Sequence, residues 1–284
     1  MNTLLSIGHG FSARALAHLL IPQGWHVIGT TRTAEKAAIL AAEGVEPLIW
    51  PGTDLTQALT RGTHLLTSVA PGPTGDPVLA AYGPKIAAAP LKWIGYLSTT
   101  GVYGNHSGDW VDESAPLSPA TSRGAARVTA EAAWAALGAR TAPHIFRLAG
   151  IYGPGRGPFE KVRDGSARRI VKPGQVFSRI HVEDIAQTLA ASIARPNPGA
   201  IYNVCDDDPA APEDVLAYAA TLLGLPLPPA IPFDEAEMTP MARSFYAESK
   251  RVRNTRIKTE LGVKLLYPDY RSGLEALLAI ETNL

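Results

Sequence analysis

Two glycines and an alanine near the start of the chain are spaced for phosphate binding. They are Gly8, Gly10 and Ala13, in the order Gly-x-Gly-x-x-Ala, directly after a short apolar run. The first glycine allows a tight turn, the second lets the backbone approach a pyrophosphate, and the small third residue lets a helix pack closely on a strand. Phe11 and Ser12 lie within the turn, and the helix predicted after it offers free N–H groups and the positive end of its dipole to the phosphates. The motif predicts a dinucleotide site, with an ordinary glycine-rich turn as the alternative.

The residues after the second predicted strand indicate which dinucleotide binds. An NAD site has an acidic residue there, about 20 residues beyond the glycine turn, which holds the ribose hydroxyls. This chain has Thr31, Arg32 and Thr33 instead, and Lys36 follows one helical turn later. A guanidinium binds a 2′-phosphate through two parallel hydrogen bonds, whereas a carboxylate repels it. We therefore expect NADP rather than NAD, unless Arg32 is only a solvated loop residue.

Two further segments supply candidate cofactor contacts. Asp54 follows the third predicted strand, where it could accept a hydrogen bond from the adenine amino group or cap the next helix. Val69, Ala70 and Pro71 end the fourth predicted strand, where the inner ribose of the cofactor would pass. Their small side chains are compatible with a close approach of the cofactor to the backbone.

Strand-like and helix-like segments alternate through the first half of the chain. The predicted strands are 4–7, 26–30, 46–50, 64–69, 93–98, 144–148 and, later, 200–204. The predicted helices are 13–20, 34–43, 55–59, 78–88, 121–137, 182–194, 212–223 and 270–280. This alternation predicts an α/β fold, a Rossmann-type doubly wound parallel sheet with helices on both faces and its ligand at the carboxyl ends of the strands.

The alternation breaks after residue 154, where turn residues and prolines become frequent. We expect a Rossmann domain formed by 1–154 plus 177–204. A smaller substrate-binding lobe is predicted for 155–176 plus 205–270, and a C-terminal helix for 271–284.

Composition narrows the functional class. Apolar residues make up 46% of the chain, enough for a large core, and 26 basic residues balance 26 acidic ones, which gives no support for nucleic-acid or acidic-membrane binding. The single cysteine, Cys205, excludes a disulfide framework and is expected to be a small buried apolar residue in a reducing compartment. No apolar stretch reaches the roughly 18 residues of a membrane helix, and the first strand begins at Leu4 without a charged leader. We expect a soluble cytoplasmic protein.

Four stretches resemble the extended short-chain dehydrogenase/reductase family, also called the NAD-dependent epimerase/dehydratase family. They are the glycine motif, Leu-Ser-Thr-Thr-Gly-Val-Tyr-Gly at 97–104, Phe-Arg-Leu-Ala-Gly-Ile-Tyr-Gly-Pro-Gly at 146–155 and Arg-Ile-His-Val-Glu-Asp-Ile-Ala at 179–186. Residues 254–277 also resemble the C-terminal end of family members, so the resemblance covers nearly the whole chain. It implies an oxidoreductase or epimerase acting on a small carbonyl or nucleotide-sugar-like substrate. It also implies a homodimer formed through long helices such as 121–137.

The chemistry of the family that the chain resembles needs three side chains. A Ser or Thr binds the substrate oxygen, a Tyr exchanges a proton with it, and a Lys four residues later lowers the pKa of the Tyr and holds the ribose. Thr99 matches the hydroxyl position, and Thr100 is the neighbouring candidate. When the helix is aligned on the Ala-Glu pair at 130–131, the Tyr position holds Arg123 and the Lys position holds Arg127.

Arg123 cannot donate the proton, because a guanidinium keeps its charge at any ordinary pH. Arg127 can still neutralise phosphate or ribose oxygens, unless it only pairs with Glu131 one helical turn later. Four residues are candidate replacements for the donor, each with packing or solvation as the alternative role: Tyr103, which we place with Thr99, Arg123 and Arg127 among the catalytic candidates, and Tyr152, His106 and His181.

Three further arginines could bind an anionic substrate such as a nucleotide diphosphate. They are Arg147, Arg156 and Arg179, and surface ion pairing is the alternative for each. Neither a metal-ligand spacing nor a nucleophile elbow is recognisable. Three hypotheses remain: an NADP-dependent enzyme with an atypical proton donor, a non-catalytic NADP-binding regulatory or redox-sensing protein, and a nucleotide-sugar binder without redox turnover.

Overall fold

The structure is a computed structural model, and it describes residues 1–282 of the chain. The strands are, in chain order, β1 (Thr3–Ile7), β2 (His26–Thr31), β3 (Glu46–Ile49), β4 (His64–Thr67), β5 (Trp93–Thr99), β6 (Trp110–Val111), β7 (His144–Leu148), β8 (Gly150–Tyr152), β9 (Arg169–Val171), β10 (Arg179–His181), β11 (Ile201–Val204), β12 (Ala230–Pro232) and β13 (Arg251–Val252). The helices are α1 (Phe11–Leu20), α2 (Ala34–Ala42), α3 (Thr56–Arg61), α4 (Pro77–Ala88), α5 (Ser122–Ala135), α6 (Phe159–Arg163), α7 (Val182–Ala194), α8 (Pro212–Leu222), α9 (Pro240–Phe245), α10 (Thr255–Thr259) and α11 (Tyr270–Thr282).

The main sheet of the described residues is parallel, with seven strands in the order β11-β7-β5-β4-β1-β2-β3. From β1 the chain proceeds to β2 and β3 on one side, and then returns to β4, β5, β7 and β11 on the other. The strand order therefore reverses between β1 and β4, and sheets of this kind bind ligands beyond the carboxyl ends of their strands at such a point. The predicted Rossmann-type doubly wound parallel sheet is confirmed.

Helices cover both faces of the sheet. Successive side chains of a strand point to opposite faces, so each central strand contributes to two apolar clusters. On one face Leu4 packs in a cluster with Leu16 of α1 and Leu189 of α7. On the other face Leu5 packs in a cluster with Ile86 of α4 and Trp134 of α5. Strands buried in this way are apolar at consecutive positions, which is why β1, β4 and β5 were recognisable in the sequence.

A third apolar cluster forms the core of a smaller lobe. It joins α6, α8 and α11 through residues such as Phe159, Ala219 and Leu274, and β9 pairs with β12 nearby. The helix predicted for 271–284 is therefore packed into this lobe, and residues 283–284 lie outside the described part of the chain. Residues 251–263 differ from the predicted division, because Val252, Ile257 and Leu261 are buried against the main sheet.

The observed central strands and long helices begin and end within about two residues of their predicted limits, the margin by which assignment methods themselves differ. The two-residue and three-residue strands and helices α6, α9 and α10 were not predicted, because segments this short show no periodicity. Cys205 is buried, as expected, and its thiol donates to the carbonyl oxygen of Val252. No helix among residues 1–282 combines the length and the apolar character needed to cross a membrane.

Candidate functional site

A cleft of about 890 Å³ lies between the carboxyl ends of the central strands and the smaller lobe. Its walls come from the glycine turn, the ends of β4, β5 and β7, the start of α5 and residues 242–252. The predicted site residues that line it are Gly10, Phe11, Ser12, Ala70, Pro71, Thr99, Arg123 and Arg127. The remaining predicted site residues do not line it: Gly8, Ala13, Thr31, Arg32, Thr33, Asp54, Val69 and Tyr103.

The glycine turn is held in a conformation that needs glycine at its first position. Gly8 has a φ of +82°, and an added Cβ would lie 2.9 Å from the hydroxyl oxygen of Ser68. The Gly8 N–H donates to the hydroxyl of Thr30 (2.8 Å), and the Ser68 hydroxyl donates to the Gly8 carbonyl. Val69 follows Ser68 and would also contact the added Cβ. Residues on three neighbouring strands thus fix the turn.

Gly10 presents open backbone to the cleft at the start of α1. No side chain caps this helix, and the nearest atom to a Cβ built on Gly10 is the Gly8 carbonyl oxygen at 3.8 Å. Ala13 is buried beneath the turn, where it lets α1 approach the sheet. An uncapped helix start with uncrowded backbone provides N–H groups for an anion.

The end of β2 carries an exposed cation. Thr33 caps α2 by accepting from the N–H of Lys36 (3.3 Å), and Thr31 is the last residue of the strand. Arg32 is exposed, and within residues 1–282 its side chain takes part in no hydrogen bond or ion pair. The structure is thus compatible with either role of Arg32, a phosphate ligand or a solvated residue.

Asp54 adopts the capping arrangement. Its Oδ1 accepts from the N–H of Thr56 (3.1 Å) and from the Thr56 hydroxyl (2.7 Å) at the start of α3. These hydrogen bonds, led by the hydroxyl of Thr56, lower the pKa of Asp54. Both contacts favour the capping interpretation over the adenine contact.

Thr99 ends β5 at the cleft wall. Its hydroxyl oxygen accepts from the N–H of Gly101 (3.1 Å) and begins the 3-10 turn Thr100–Tyr103. Thr99 and Thr100 are both half-buried and both line the cleft. The hydroxyl pair therefore lies where the resemblance places the group that binds the substrate oxygen.

Arg123 reaches from α5 towards the smaller lobe. It is exposed, donates to the hydroxyl of Ser244 (3.1 Å) and places its guanidinium 5.0 Å from the ring centroid of Phe245. The residue at the tyrosine position therefore bridges the two walls of the cleft.

Arg127 is held against β5. Its Nη1 donates to the hydroxyl of Tyr96 (2.9 Å) and to the carbonyl oxygen of Leu97 (2.7 Å). The alternative pair with Glu131 is not formed, because Glu131 bonds Arg147 (2.8 Å) instead. Arg127 thus keeps a fixed positive charge at the cleft.

Tyr103 does not fit the catalytic role proposed for it. It is fully buried away from the cleft, donates to Asn203 (2.7 Å) and accepts from Arg147 (2.9 Å). Burial raises the pKa of Tyr103 to about 12, which makes proton release at neutral pH still harder. Arg147 is likewise neither a substrate clamp nor a surface residue, because it is paired with Glu131 inside the core.

The other candidate proton donors are also committed elsewhere. His181 is buried, caps α7 by accepting from the N–H of Glu183 (3.3 Å), and burial lowers its pKa. His106 is half-buried against the carbonyl oxygen of Tyr103 (3.2 Å). Tyr152 lines the cleft, but an added Cβ on Gly273 would lie 2.0 Å from the Tyr152 hydroxyl oxygen, so this oxygen lies against α11. Burial raises the pKa of Tyr152 above its usual range.

Two lining residues, Glu248 and Lys250, had not been identified from the sequence. The Lys250 ammonium donates to the carboxylate of Glu248 (2.6 Å) and to the carbonyl oxygen of Gly104 (2.8 Å). Burial lowers the pKa of Lys250. No local motif surrounds the pair, so only the fold brings it to the cleft.

The charged residues that line the cleft are mostly cationic. The cations are Arg123, Arg127, Arg156, Arg179 and Lys250, and Glu248 is the one carboxylate among the described lining residues. A second cavity of about 270 Å³ adjoins the cleft and shares Tyr152, Arg156 and Arg179 with it. Arg179 is anchored there by the carbonyl oxygens of Phe177 and Ala210. Such a lining favours an anionic occupant.

Comparison with known proteins places the chain among proteins of this fold. No family model matches it. Protein YeeZ of Escherichia coli K12 is 29% identical over 95% of this chain and 97% of its own length. A functionally unknown conserved protein from Silicibacter pomeroyi is 62% identical, with 99% of each chain covered and a TM-score of 0.93.

Structures with assigned chemistry are more distant. A candidate NAD-dependent epimerase/dehydratase from Methylobacillus flagellatus is 28% identical, with 99% of each chain covered and a TM-score of 0.72. MoeE5, in complex with UDP-glucose and NAD, shares the fold at 18% identity, with 99% of each chain covered and a TM-score of 0.79. With its seven-stranded parallel sheet, the chain shares the fold of these NAD-dependent epimerases and dehydratases, and it resembles the extended short-chain dehydrogenase/reductase family in four motifs, with arginines where that resemblance places the tyrosine and the lysine.

Proposed function

We propose that the protein binds NADP in the cleft and acts as an oxidoreductase or epimerase on a small carbonyl or nucleotide-sugar-like substrate. The observation that carries this proposal is the open backbone of Gly10 at the uncapped start of α1, in the same cleft that Thr99 and Arg127 line. Phosphate-binding backbone and a substrate-facing hydroxyl thus share one cavity.

The residues of the glycine turn fit a dinucleotide. The backbone of Gly10, Phe11 and Ser12 would hold the pyrophosphate, because the first N–H groups of a helix need partners and carry partial positive charge. Ala70 and Pro71 leave room beside them for the inner ribose. When bound, a nicotinamide cofactor supplies or accepts the hydride of the reaction.

Arg127 and Thr99 have separate roles in this proposal. Arg127 keeps its charge at all ordinary pH values and is fixed by Tyr96, so it can neutralise ribose or phosphate oxygens but cannot exchange a proton. Thr99 can donate its hydroxyl proton in a hydrogen bond to a substrate oxygen, because within residues 1–282 its hydroxyl only accepts a bond, from the Gly101 N–H, and its proton has no acceptor. The two residues bind and orient, and neither is an acid.

The cationic lining supports an anionic substrate. Arg156 lies 5.7 Å from the ring centroid of Phe11, and Arg179 is fixed between the two cavities. Guanidinium groups bind phosphate or carboxylate through paired hydrogen bonds. MoeE5, which shares the fold, is in complex with UDP-glucose, and this likeness supports a nucleotide-sugar-like ligand.

The preference for NADP rests on Arg32 and is tested by charge reversal. Arg32→Glu is expected to weaken NADP binding at least about tenfold, since a charge-assisted pair to a phosphate is lost and replaced by repulsion. NAD binding is expected to stay unchanged or to tighten. Isothermal titration with each cofactor gives the two affinities.

Arg140→Glu is the matched control, because Arg140 is also exposed but precedes β7, which lies in the other half of the sheet from β2. It should change neither affinity. Equal losses of NADP and NAD binding in Arg32→Glu would refute the 2′-phosphate role.

Arg123 favours a second candidate function, a non-catalytic NADP-binding regulatory or redox-sensing protein. The family's proton donor is replaced by a guanidinium that contacts Ser244 and Phe245, an arrangement that a binding protein can keep without loss. Pyruvate and 2-oxoglutarate can accept a hydride from NADPH, whereas the hydroxyl groups of UDP-glucose can donate one to oxidised NADP. Absorbance of the reduced cofactor is therefore followed with each of these pairs, and epimer formation from UDP-glucose, which leaves the absorbance unchanged, is followed separately. Turnover in any of these assays supports the enzyme, and its absence in all of them favours the sensor.

A further inference from the structure

Lys250 is the one lysine among the described residues that line the cleft, and one N–H of its ammonium has no hydrogen-bond acceptor among them. Lys250 is only 10% exposed by side chain, yet it lines the cleft together with Thr99 and Arg127. An ammonium has three N–H groups. Within residues 1–282, two of them are used, by the Gly104 carbonyl and the Glu248 carboxylate. The third N–H is therefore available to the contents of the cleft.

The position of Lys250 is fixed from three directions. Gly104 follows the 3-10 turn that begins after Thr99, so the amine is tied to the substrate-facing wall. The other carboxylate oxygen of Glu248 accepts from the N–H of Ala120 (3.2 Å), just before α5. The carbonyl oxygen of Glu248 accepts from the side chain of Gln175 (2.6 Å). These bonds leave the Glu248–Lys250 pair little freedom to move.

We propose that Lys250 is the proton-exchanging group of this cleft, replacing the absent tyrosine, and that Glu248 positions it. The inference rests on the proposed function. In the reducing direction the carbonyl carbon would receive a hydride and its electron pair from the reduced nicotinamide of the proposed function, which is thereby oxidised, and the carbonyl oxygen would take a proton from the Lys250 ammonium. Lys250 is left as a neutral amine and regains a proton from water in the cleft. In the oxidising direction each transfer is reversed.

Its neighbours suit Lys250 to this exchange. Burial lowers the pKa of the Lys250 amine, and the hydrogen bond and charge of Glu248 act in the opposite direction. The other cations that line the cleft are Arg123, Arg127, Arg156 and Arg179, and a guanidinium does not act as an acid at ordinary pH. Burial raises the pKa of the lining tyrosines Tyr152 and Tyr246 away from neutrality, so among the lysine and tyrosines of the described lining Lys250 is the group whose pKa is shifted towards it.

Pyridoxal 5′-phosphate provides a test that does not depend on cofactor binding. Its aldehyde carbon is attacked by a neutral amine, water leaves, and borohydride reduces the resulting imine to a stable adduct that peptide mass analysis locates. The phosphate of the reagent suits a cationic cleft. We expect Lys250 to reach half-modification at a lower pH than Lys258, a partly exposed lysine paired with Asp207.

Two variants sharpen this test. Glu248→Gln removes the charge that favours the ammonium, so half-modification of Lys250 should move to a still lower pH. Lys250→Arg should eliminate the low-pH adduct, whereas the control Lys258→Arg should leave it in place. The proposal is overturned if wild-type Lys250 is unmodified or reacts at the same pH as Lys258. If the wild-type protein binds no NADP in the titrations described for Arg32, but Lys250 is still labelled at a lower pH than Lys258, the proposed cofactor is refuted and the reactive amine is retained.

Discussion

Two buried acid–base pairs lie close to the same helix, α5, and they differ in what surrounds them. In the pair Arg147–Glu131 the side chains are 3% and 5% exposed, and in the pair Lys250–Glu248 they are 10% and 11% exposed. Arg147 also donates to Tyr103, and Glu131 also accepts from Ser98 (2.5 Å). The first pair is enclosed by protein, whereas the second opens on the cleft.

The comparison distinguishes a buried charge that stabilises the fold from a buried charge that can act on a ligand. A guanidinium whose donors are shared among Glu131, Tyr103 and the Glu113 carbonyl has little left to offer a ligand. A lysine with two partners retains one donor and can change its charge state. Burial alone therefore does not identify a site, but an unused donor facing a cavity does.

The largest effect is expected from breaking the enclosed pair. Glu131→Gln leaves Arg147 as a buried charge without its carboxylate, which typically costs about 3–5 kcal/mol of the free energy of unfolding. Urea denaturation measures the loss. Glu248→Gln should cost clearly less, because Lys250 can release its proton or contact water in the cleft, and Glu160→Gln on the exposed side of α6 should cost almost nothing. Similar losses for Glu131→Gln and Glu248→Gln would remove the distinction between the pairs.

The fold was predictable because its signals are local. Strands such as β1 and β7 are short, mostly apolar and buried at every position, and α7 was predicted with the limits that the structure shows. The glycine turn is equally local, since Gly8, Gly10 and Ala13 act through the backbone of one connection. Residues 251–263 were assigned to the smaller lobe, whereas Val252, Ile257 and Leu261 pack in the cluster of the main sheet, since an apolar side chain does not reveal which core will bury it.

The chemistry was harder to predict because the side chains of the site come together from distant parts of the sequence. Lys250 reaches the cleft because β13 pairs with β6. Strands of two residues leave no recognisable pattern in the sequence, so this pairing could not be predicted. Tyr103 looked catalytic from its motif, but its hydroxyl points to Arg147 and Asn203 in the core. The absence of the tyrosine at Arg123 was visible in the sequence, whereas its candidate replacement was not.

The next test concerns His9, a buried side chain without a hydrogen-bond partner among the described residues. The comparison of the two pairs predicts that such a side chain is neutral in the folded protein. His9, within the glycine turn, is 7% exposed, and neither ring nitrogen has a hydrogen-bond partner among the described residues. Desolvation lowers the pKa of His9 from 6.5 to about 4. Between these pH values the unfolded chain binds a proton that the folded chain does not, so stability is lost as the pH falls, by about 3 kcal/mol for this residue.

His9→Asn should remove that contribution. Urea unfolding of the variant and the wild type at pH 7 and pH 4 should show a smaller loss of stability in the variant. Part of the loss remains, because burial also lowers the pKa of His64 to about 4. The exposed His18 of α1 supplies the control His18→Asn, which should keep the wild-type dependence. An unchanged dependence in His9→Asn would mean that His9 finds a partner when it is protonated.

The smallest effect is expected at Arg123, whose charge belongs to neither buried pair. Arg123→Ala loses the bond to Ser244 and the contact with Phe245, both at the surface, so the free energy of unfolding should fall by less than about 1 kcal/mol. Because α9 loses its tie to α5, chymotrypsin should cleave after Phe245 several times faster, whereas Arg140→Ala should leave the cleavage rate unchanged. A loss above about 2 kcal/mol would show that Arg123 behaves like Arg147, as part of the core. Faster cleavage with little loss of stability would instead mean that Arg123, at the tyrosine position, fixes α9 as the part of the cleft wall beside Lys250.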